Sequence, residues 1–138
     1  MTMTTESDAQ YADALDEAER MLGFRLERFL GTADTEPPNA RDFKRIATIQ
    51  AFGAAWPRTE FLDTRTRALV SVTIAAMLGV HEPLRGQLRI AINNGVTREE
   101  IVETFIQISA YAGAARAFDG YGIAAEVFAE QQPDGRPL

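Results

Sequence analysis

Residues 51–70 read AFGAAWPRTEFLDTRTRALV, and residues 77–117 read MLGVHEPLRGQLRIAINNGVTREEIVETFIQISAYAGAARA. Apolar residues recur in both segments at the spacing of one helix face, and neither segment alternates in the manner of a strand. Turn and helix-ending residues divide the segments. These are Trp56-Pro57, Gly79, Asn94-Gly95 and Gly113. The pattern predicts consecutive helices joined by short turns, and therefore an all-α fold.

Capping residues mark where several of these helices begin. Asp63 precedes a run whose residues 68–78 are apolar on nearly every face, which predicts a capped helix in the centre of the molecule. Pro83 suits the first turn of the next helix, because its missing N–H costs nothing there. Thr97 with Glu100 forms a capping-box pattern that opens a further helix.

The flanking segments continue the helical pattern. Ser7 with Gln10 has the spacing of a capping box and predicts a first helix that extends to about Leu30. Asn39 follows a linker and is expected to cap a second helix. Residues 114–130 carry apolar side chains at helical spacing and predict a last helix.

Composition sets the class of protein. We expect one single-domain bundle of about six helices over residues 7–131, with residues 1–6 disordered and residues 132–138 frayed. The 138 residues include 14 basic and 20 acidic side chains, a net charge of −6 that argues against nucleic-acid binding. One histidine and no cysteine exclude a Cys/His zinc site, disulfides and thiol chemistry.

The sequence also predicts where the protein is found. No apolar run has the length of a membrane span, and the N-terminus lacks a signal-peptide core, so we expect no membrane partner and a cytoplasmic location.

The order of residues resembles the carboxymuconolactone decarboxylase family, which shares its fold with the alkylhydroperoxidase-D proteins. The resemblance covers roughly the last two thirds of the chain. The matching positions are Phe52-Gly53, Trp56, Arg58, Leu62-Asp63, Arg67, Leu84, Gly95, Thr97, Glu100-Ile101, Glu103 and Tyr111-Ala112-Gly113. One position departs from the family pattern, because Gln87 stands where the family usually has a histidine.

The resemblance implies a small helical protein that assembles into rings, commonly hexamers, with a site near a subunit interface and no cofactor. It implies a small carboxylate substrate of aromatic compound metabolism and a homo-oligomer, a trimer or a hexamer. The alkylhydroperoxidase-D branch uses a Cys-x-x-Cys pair and a histidine, and those positions here are Val80, Pro83 and Gln87. Peroxidase chemistry of that kind is therefore excluded.

Three residues are candidates for the chemical step. His81 carries a ring that could cap a helix or serve as acid or base, although an exposed loop histidine is the simpler interpretation. Six residues on a helix turn about 600°, so His81 and Gln87 would not share a face. Tyr111 could supply a proton or donate a hydrogen bond, and the Gln87 amide donates hydrogen bonds but does not titrate.

Substrate binding is expected from arginine and aromatic side chains. Arginine holds a carboxylate in a bidentate fork, so Arg58, Arg67 and Arg85 are candidates, with solvated or ion-paired arginines as the alternative. We expect Arg67 to be the most buried and paired, with Glu103 either its internal partner or simply exposed. Trp56 could line the pocket with Tyr111, or its ring could simply pack against neighbouring side chains.

Three functions are compatible with these residues. The first is a cofactor-free decarboxylase acting on a small carboxylated lactone or ring compound. The second is a cofactor-free isomerisation, dehydration or cyclisation in a biosynthetic pathway, and the third is a non-catalytic oligomer that binds a ligand or a partner protein. Fold alone does not separate them, because function resides in sites.

Overall fold

The computed structural model describes residues 5–130, and every regular element in that range is helical. This confirms the predicted all-α fold with six α-helices. They are α1 Thr5–Leu22, α2 Ala40–Thr48, α3 Thr64–Leu78, α4 His81–Asn93, α5 Arg98–Ala112 and α6 Ala114–Glu130. Residues 5 and 6, expected to be disordered, begin α1. The rest of the predicted disordered N-terminus and the predicted frayed tail lie outside the described residues.

The chain divides into two compact units, Met1–Phe61 and Leu62–Leu138, where the sequence predicts one domain over residues 7–131. In the first unit, α1 packs against α2 and against a π-helix, Ile49–Ala55. The buried residues of α1 share one face and are all apolar. They are Ala14, Leu15, Ala18, Met21 and Leu22.

Two predictions about α1 are wrong. Ser7 lies inside the first turn, so the helix begins before the predicted capping box. The helix ends at Leu22 because Gly23 adopts a left-handed φ of 84°, and a separate 3₁₀ turn covers Leu26–Phe29. Asn39 does precede α2 as predicted, but its side chain makes no capping hydrogen bond.

The second unit consists of α3 to α6, joined by the short turns that the sequence predicts. Gly79, Gly95 and Gly113 end the first three of these helices with φ values of 71°, 90° and 92°. The predicted caps are present: Asp63 Oδ1 accepts a hydrogen bond from Thr66 N at 2.7 Å. Thr97 and Glu100 form the reciprocal capping box of α5.

The prediction that α3 is buried on nearly every face is wrong. Its small residues face the core, with Ala68, Val72 and Ala76 almost completely buried. Its larger apolar residues are exposed, among them Ile74 at 53% and Leu78 at 68%. A helix with no polar face therefore leaves an apolar surface on the second unit.

Ion pairs show how the four helices align. Arg65 pairs with Glu100 at the start of α3 and of α5, so these two helices run in the same direction. His81 contacts Asp119 at the start of α4 and near the start of α6. Since each turn reverses the chain, the end of α3, the start of α4, the end of α5 and the start of α6 meet at one end of the unit. We call this the turn end.

Candidate functional site

His81 is the first residue of α4, and its Nε2 lies 2.7 Å from Asp119 Oδ2 on α6. The two side chains are about half exposed, at 46% and 47%. When Nε2–H donates to the carboxylate, the ring is held in one orientation and Nδ1 is left as an acceptor. His81 is thus neither an unattached loop residue nor a cap. It forms a histidine–carboxylate pair that a ligand can reach, an arrangement suited to proton transfer.

The α4–α6 ion-pair row continues this contact along the two helices. Arg85 Nη2 lies 2.6 Å from Glu126 Oε2, and Arg89 Nη2 lies 2.8 Å from Glu130 Oε2. The hydrogen bond that Arg85 donates to Glu126 raises the pKa of Arg85 above its ordinary value. Arg85, predicted to bind substrate, is therefore already paired with a carboxylate of its own chain. A substrate would have to displace that partner.

The α3–α5 groove is a cavity of about 500 Å³ that contains Tyr111. Its lining is mostly apolar, and none of the lining residues is charged. They are Thr66, Leu69, Val70, Thr73, Ile74, Met77, Thr104, Gln107, Ile108 and Tyr111. Tyr111 is 83% exposed, so its hydroxyl is open to a ligand. The volume suits a small molecule, and the lining suits an uncharged or aromatic one.

Gln87 lies near the middle of α4, and its Oε1 is buried without a hydrogen-bond donor among the described residues. A buried oxygen that lacks a donor costs about 1–3 kcal/mol, which a ligand that supplies one would recover. Six residues separate Gln87 from His81, about 9 Å along the helix axis. The two side chains therefore reach different parts of the unit.

The structure also separates Arg67 from His81. Arg67 lies in the first turn of α3 with its Nε buried, and eleven residues separate it from the end of the helix. That is about 17 Å of helix, so the two side chains of one chain cannot hold the same small substrate. Glu103 is exposed on α5, which agrees with the second of its two sequence interpretations.

Trp56 and Arg58 belong to the first unit. Trp56 is only 5% exposed and stacks on Phe52, with ring centroids 6.4 Å apart. Trp56 therefore packs inside the first unit, which is the second of the two interpretations that the sequence allowed. The backbone N–H of Arg58 donates to Ala55 O at 3.2 Å, in the turn that follows the π-helix.

Asp119 is the site residue that sequence reasoning missed. The sequence does carry a signal for it. Asp119, Glu126 and Glu130 fall on one face of α6 at spacings of seven and four, and the basic residues of α4 match them.

Within residues 5–130, no group of three or more histidine, aspartate or glutamate side chains is arranged to hold a metal ion. No helix of that range has the length and apolar character needed to cross a membrane.

The second unit is all-helical, with a histidine–carboxylate pair at the turn end and an apolar groove between α3 and α5. The chain belongs to the carboxymuconolactone decarboxylase family, whose family model matches residues 41–126. It is 36% identical over 88 residues to a 4-carboxymuconolactone decarboxylase from Acinetobacter baylyi, a match that covers 64% of this chain and 65% of that protein. It is 35% identical over 99 residues to an uncharacterized 15.0 kDa protein of Paracoccus denitrificans, covering 66% and 73%.

Proposed function

We propose that this protein is a cofactor-free decarboxylase that acts on a small carboxylated lactone or ring compound. The observation that carries the proposal is the His81–Asp119 pair, found in a chain that belongs to this family and lacks the usual histidine at position 87. The similarity to a 4-carboxymuconolactone decarboxylase supports the substrate class.

The reaction needs a proton at carbon. When the bond to the carboxylate carbon breaks, its electron pair stays on the ring carbon and is delocalised into the ring carbonyl, while carbon dioxide leaves. Protonated His81, held by Asp119, then delivers a proton to that carbon and is reprotonated from water. Gln87 stands where the family has its titratable group, so in this chain the proton step falls to His81.

The other site residues have supporting roles in this proposal. Gln87 lies about 9 Å along α4 from His81, so its amide would donate a hydrogen bond to a part of the substrate away from the reacting carbon. Tyr111 packs its exposed ring against the apolar part of the substrate. Arg67 would act on the same substrate as His81 only if a neighbouring subunit brings the two side chains together, because about 17 Å of α3 separates them in one chain. We therefore also propose a homo-oligomer, a trimer or a hexamer.

The test is consumption of 4-carboxymuconolactone, followed by ultraviolet absorbance across pH 5 to 9. We expect turnover by the wild-type protein and a loss of about 10²–10⁴ in rate for His81→Ala, because general acid catalysis contributes that much. Arg89→Ala, which removes a half-buried member of the ion-pair row, is the control and should keep the wild-type rate. Turnover that is unchanged in His81→Ala would contradict the assignment of the proton donor.

A second function is favoured by the α3–α5 groove. The groove is uncharged, and the position of the family histidine is occupied by an amide that does not titrate. Both suit a cofactor-free isomerisation, dehydration or cyclisation of a neutral ring compound, or binding without catalysis. If neither the wild-type protein nor Gln87→His consumes the lactone, this second function becomes the better supported one.

A further inference from the structure

Arg116 lies at the turn end, in the first turn of α6, and its guanidinium packs over Gly79. The guanidinium carbon is 3.4 Å from the position that a Cβ on residue 79 would occupy. Gly79 has a φ of 71° and no side chain, so it admits the guanidinium against the backbone. His81 follows two residues later. The arginine and the histidine therefore share the short turn between α3 and α4.

Arg116 has no counter-ion among the described residues. The remaining arginines of residues 62–130 each have a partner: Arg65, Arg85 and Arg89 pair with glutamates, Arg98 donates to Phe128 O, and Arg67 has a contact of its own. Asp119 lies three residues after Arg116, a spacing at which such pairs form. Its carboxylate instead contacts His81. In a chain of net charge −6, an arginine left without a carboxylate is notable.

The α4–α6 ion-pair row explains why this arginine differs. Successive pairs along the row match a basic residue of α4 with a carboxylate of α6, so the charges there are satisfied within the chain. Arg116, in contrast, is a basic residue of α6 itself. It lies at the turn end, where the row begins with the His81–Asp119 pair. Its planar fork of donors is suited to a carboxylate from outside the chain.

We infer that Arg116 binds the carboxylate of a small ring-bearing acid beside His81. The inference rests on the proposed function for the class of substrate, and it assigns the residue that holds it. A carboxylate on Arg116 would bring the attached ring to the His81–Asp119 pair, within the same turn end. Arg67 cannot take this role in one chain, because about 17 Å of helix separates it from His81.

The single histidine of the chain makes a direct test possible. The imidazole C2–H resonance in the NMR spectrum reports on His81 alone. We would titrate the full-length protein with 2-furoate, a carboxylate on a five-membered oxygen ring, and with the uncharged 2-furamide, at constant pH and ionic strength. We expect furoate to shift the resonance to saturation and furamide to bind at least about 10-fold more weakly, since hydrogen bonds between two charged groups are stronger than those to a neutral group.

Variants assign this binding to Arg116. Arg116→Ala should weaken furoate binding about 10-fold or more, and Arg116→Lys should restore part of it because the charge returns without the fork. Arg89→Ala removes the same charge from the ion-pair row and should bind furoate as the wild type does. Equal affinity of Arg116→Ala and wild type for furoate would overturn the inference, and so would equal affinity for furoate and furamide.

The lactone assay separates this inference from the proposed function. Furoate binding that depends on Arg116, in a protein that does not consume the lactone, would uphold the site and reject the decarboxylase. Lactone turnover with the same KM in Arg116→Ala as in wild type would uphold the decarboxylase and reject Arg116 as the carboxylate anchor.

Discussion

The two helix pairs of the second unit present opposite kinds of surface. Along α4 and α6, charged side chains face each other and form ion pairs, from His81 with Asp119 to Arg89 with Glu130. Along α3, many exposed side chains are apolar, and the groove between α3 and α5 has an uncharged lining. The four-helix unit therefore has a row of ion pairs between α4 and α6 and an uncharged groove between α3 and α5.

This difference limits where each kind of ligand group can bind. A substrate carboxylate finds no cation in the groove, and along the ion-pair row it finds arginines that already have partners. Among residues 5–130, a histidine, a carboxylate and an arginine without a counter-ion lie together at the turn end. The apolar surface is left for a ring, or for a second copy of the chain.

The largest effect is expected on assembly. The exposed apolar residues of α3 include Val70, Ile74, Met77 and Leu78. Ile74→Asp places a charge in the middle of this surface without disturbing the core, since Ile74 is 53% exposed. If copies of the chain associate here, light scattering coupled to gel filtration should show an oligomer for the wild type and a single chain for the variant.

The control for this prediction is Ala129→Asp, which adds the same charge at an exposed position of α6 and should keep the wild-type mass. A wild-type protein that has the mass of one chain at micromolar concentration would refute the proposed oligomer. The apolar surface would then be better explained as a ligand site.

An intermediate effect is expected where α6 meets the other helices. A Cβ on Gly120 would lie 2.9 Å from Phe105 Cε1 and 3.2 Å from Ala76 Cβ, so Gly120→Ala overpacks the core. Overpacking costs about 1–3 kcal/mol, more than the roughly 1 kcal/mol that alanine gains in a helix. We expect a net loss of up to about 2 kcal/mol in the free energy of unfolding, measured by chemical denaturation.

Gly122→Ala is the matched variant, because nothing lies within 4 Å of a Cβ there. It should stabilise the protein by about 0.5–1 kcal/mol. If the two alanine variants had equal free energies of unfolding, Gly120 would not be a position where α6 closely contacts α3 and α5.

The smallest effect is expected at the ion pair that aligns α3 with α5. The hydrogen bond from Arg65, followed by the backbone bond from Thr97, lowers the pKa of Glu100. A carboxyl group whose pKa is lowered on folding stabilises the fold above its unfolded pKa of about 4.3, and this stability is lost as the pH falls through the folded value. Glu100→Gln keeps the capping pattern and removes the charge.

We therefore expect Glu100→Gln to melt a few degrees below the wild type at pH 7, and at the same temperature as the wild type near pH 2. Thermal unfolding followed by circular dichroism at both pH values measures this. High salt at pH 7 should reduce the difference, since exposed charges are screened. A difference that persists at pH 2 would show that the amide itself, rather than the lost charge, disturbs the cap.

Local signals allowed most of the second unit to be predicted. Asp63, Thr97 with Glu100, and the glycines at 79, 95 and 113 act through hydrogen bonds and φ angles within a few residues, which the sequence records directly. The end of α1 was missed although Gly23 marks it, because the apolar spacing continues past the break to Phe29. Periodicity alone does not distinguish a continuous helix from a helix followed by a 3₁₀ turn.

The candidate site was predictable only in part. His81 was identified by its chemistry, but its partner lies 38 residues away on a different helix. Arg67 and His81 both belong to the region of family resemblance, yet the length of α3 keeps them apart in one chain. Arg85 was expected to bind substrate, and α6 supplies its carboxylate partner instead.

The sequence by itself determined the helices, their caps and turns, and the family, because these depend on local hydrogen bonding, on φ preferences and on the order of residues. Only the tertiary structure decided which charged side chains pair with each other. Pairing depends on helix direction and register, which place residues distant in the chain within 3 Å of one another or prevent them from meeting. The exposed apolar face of α3 was decided in the same way, because burial depends on how many neighbouring helices surround it.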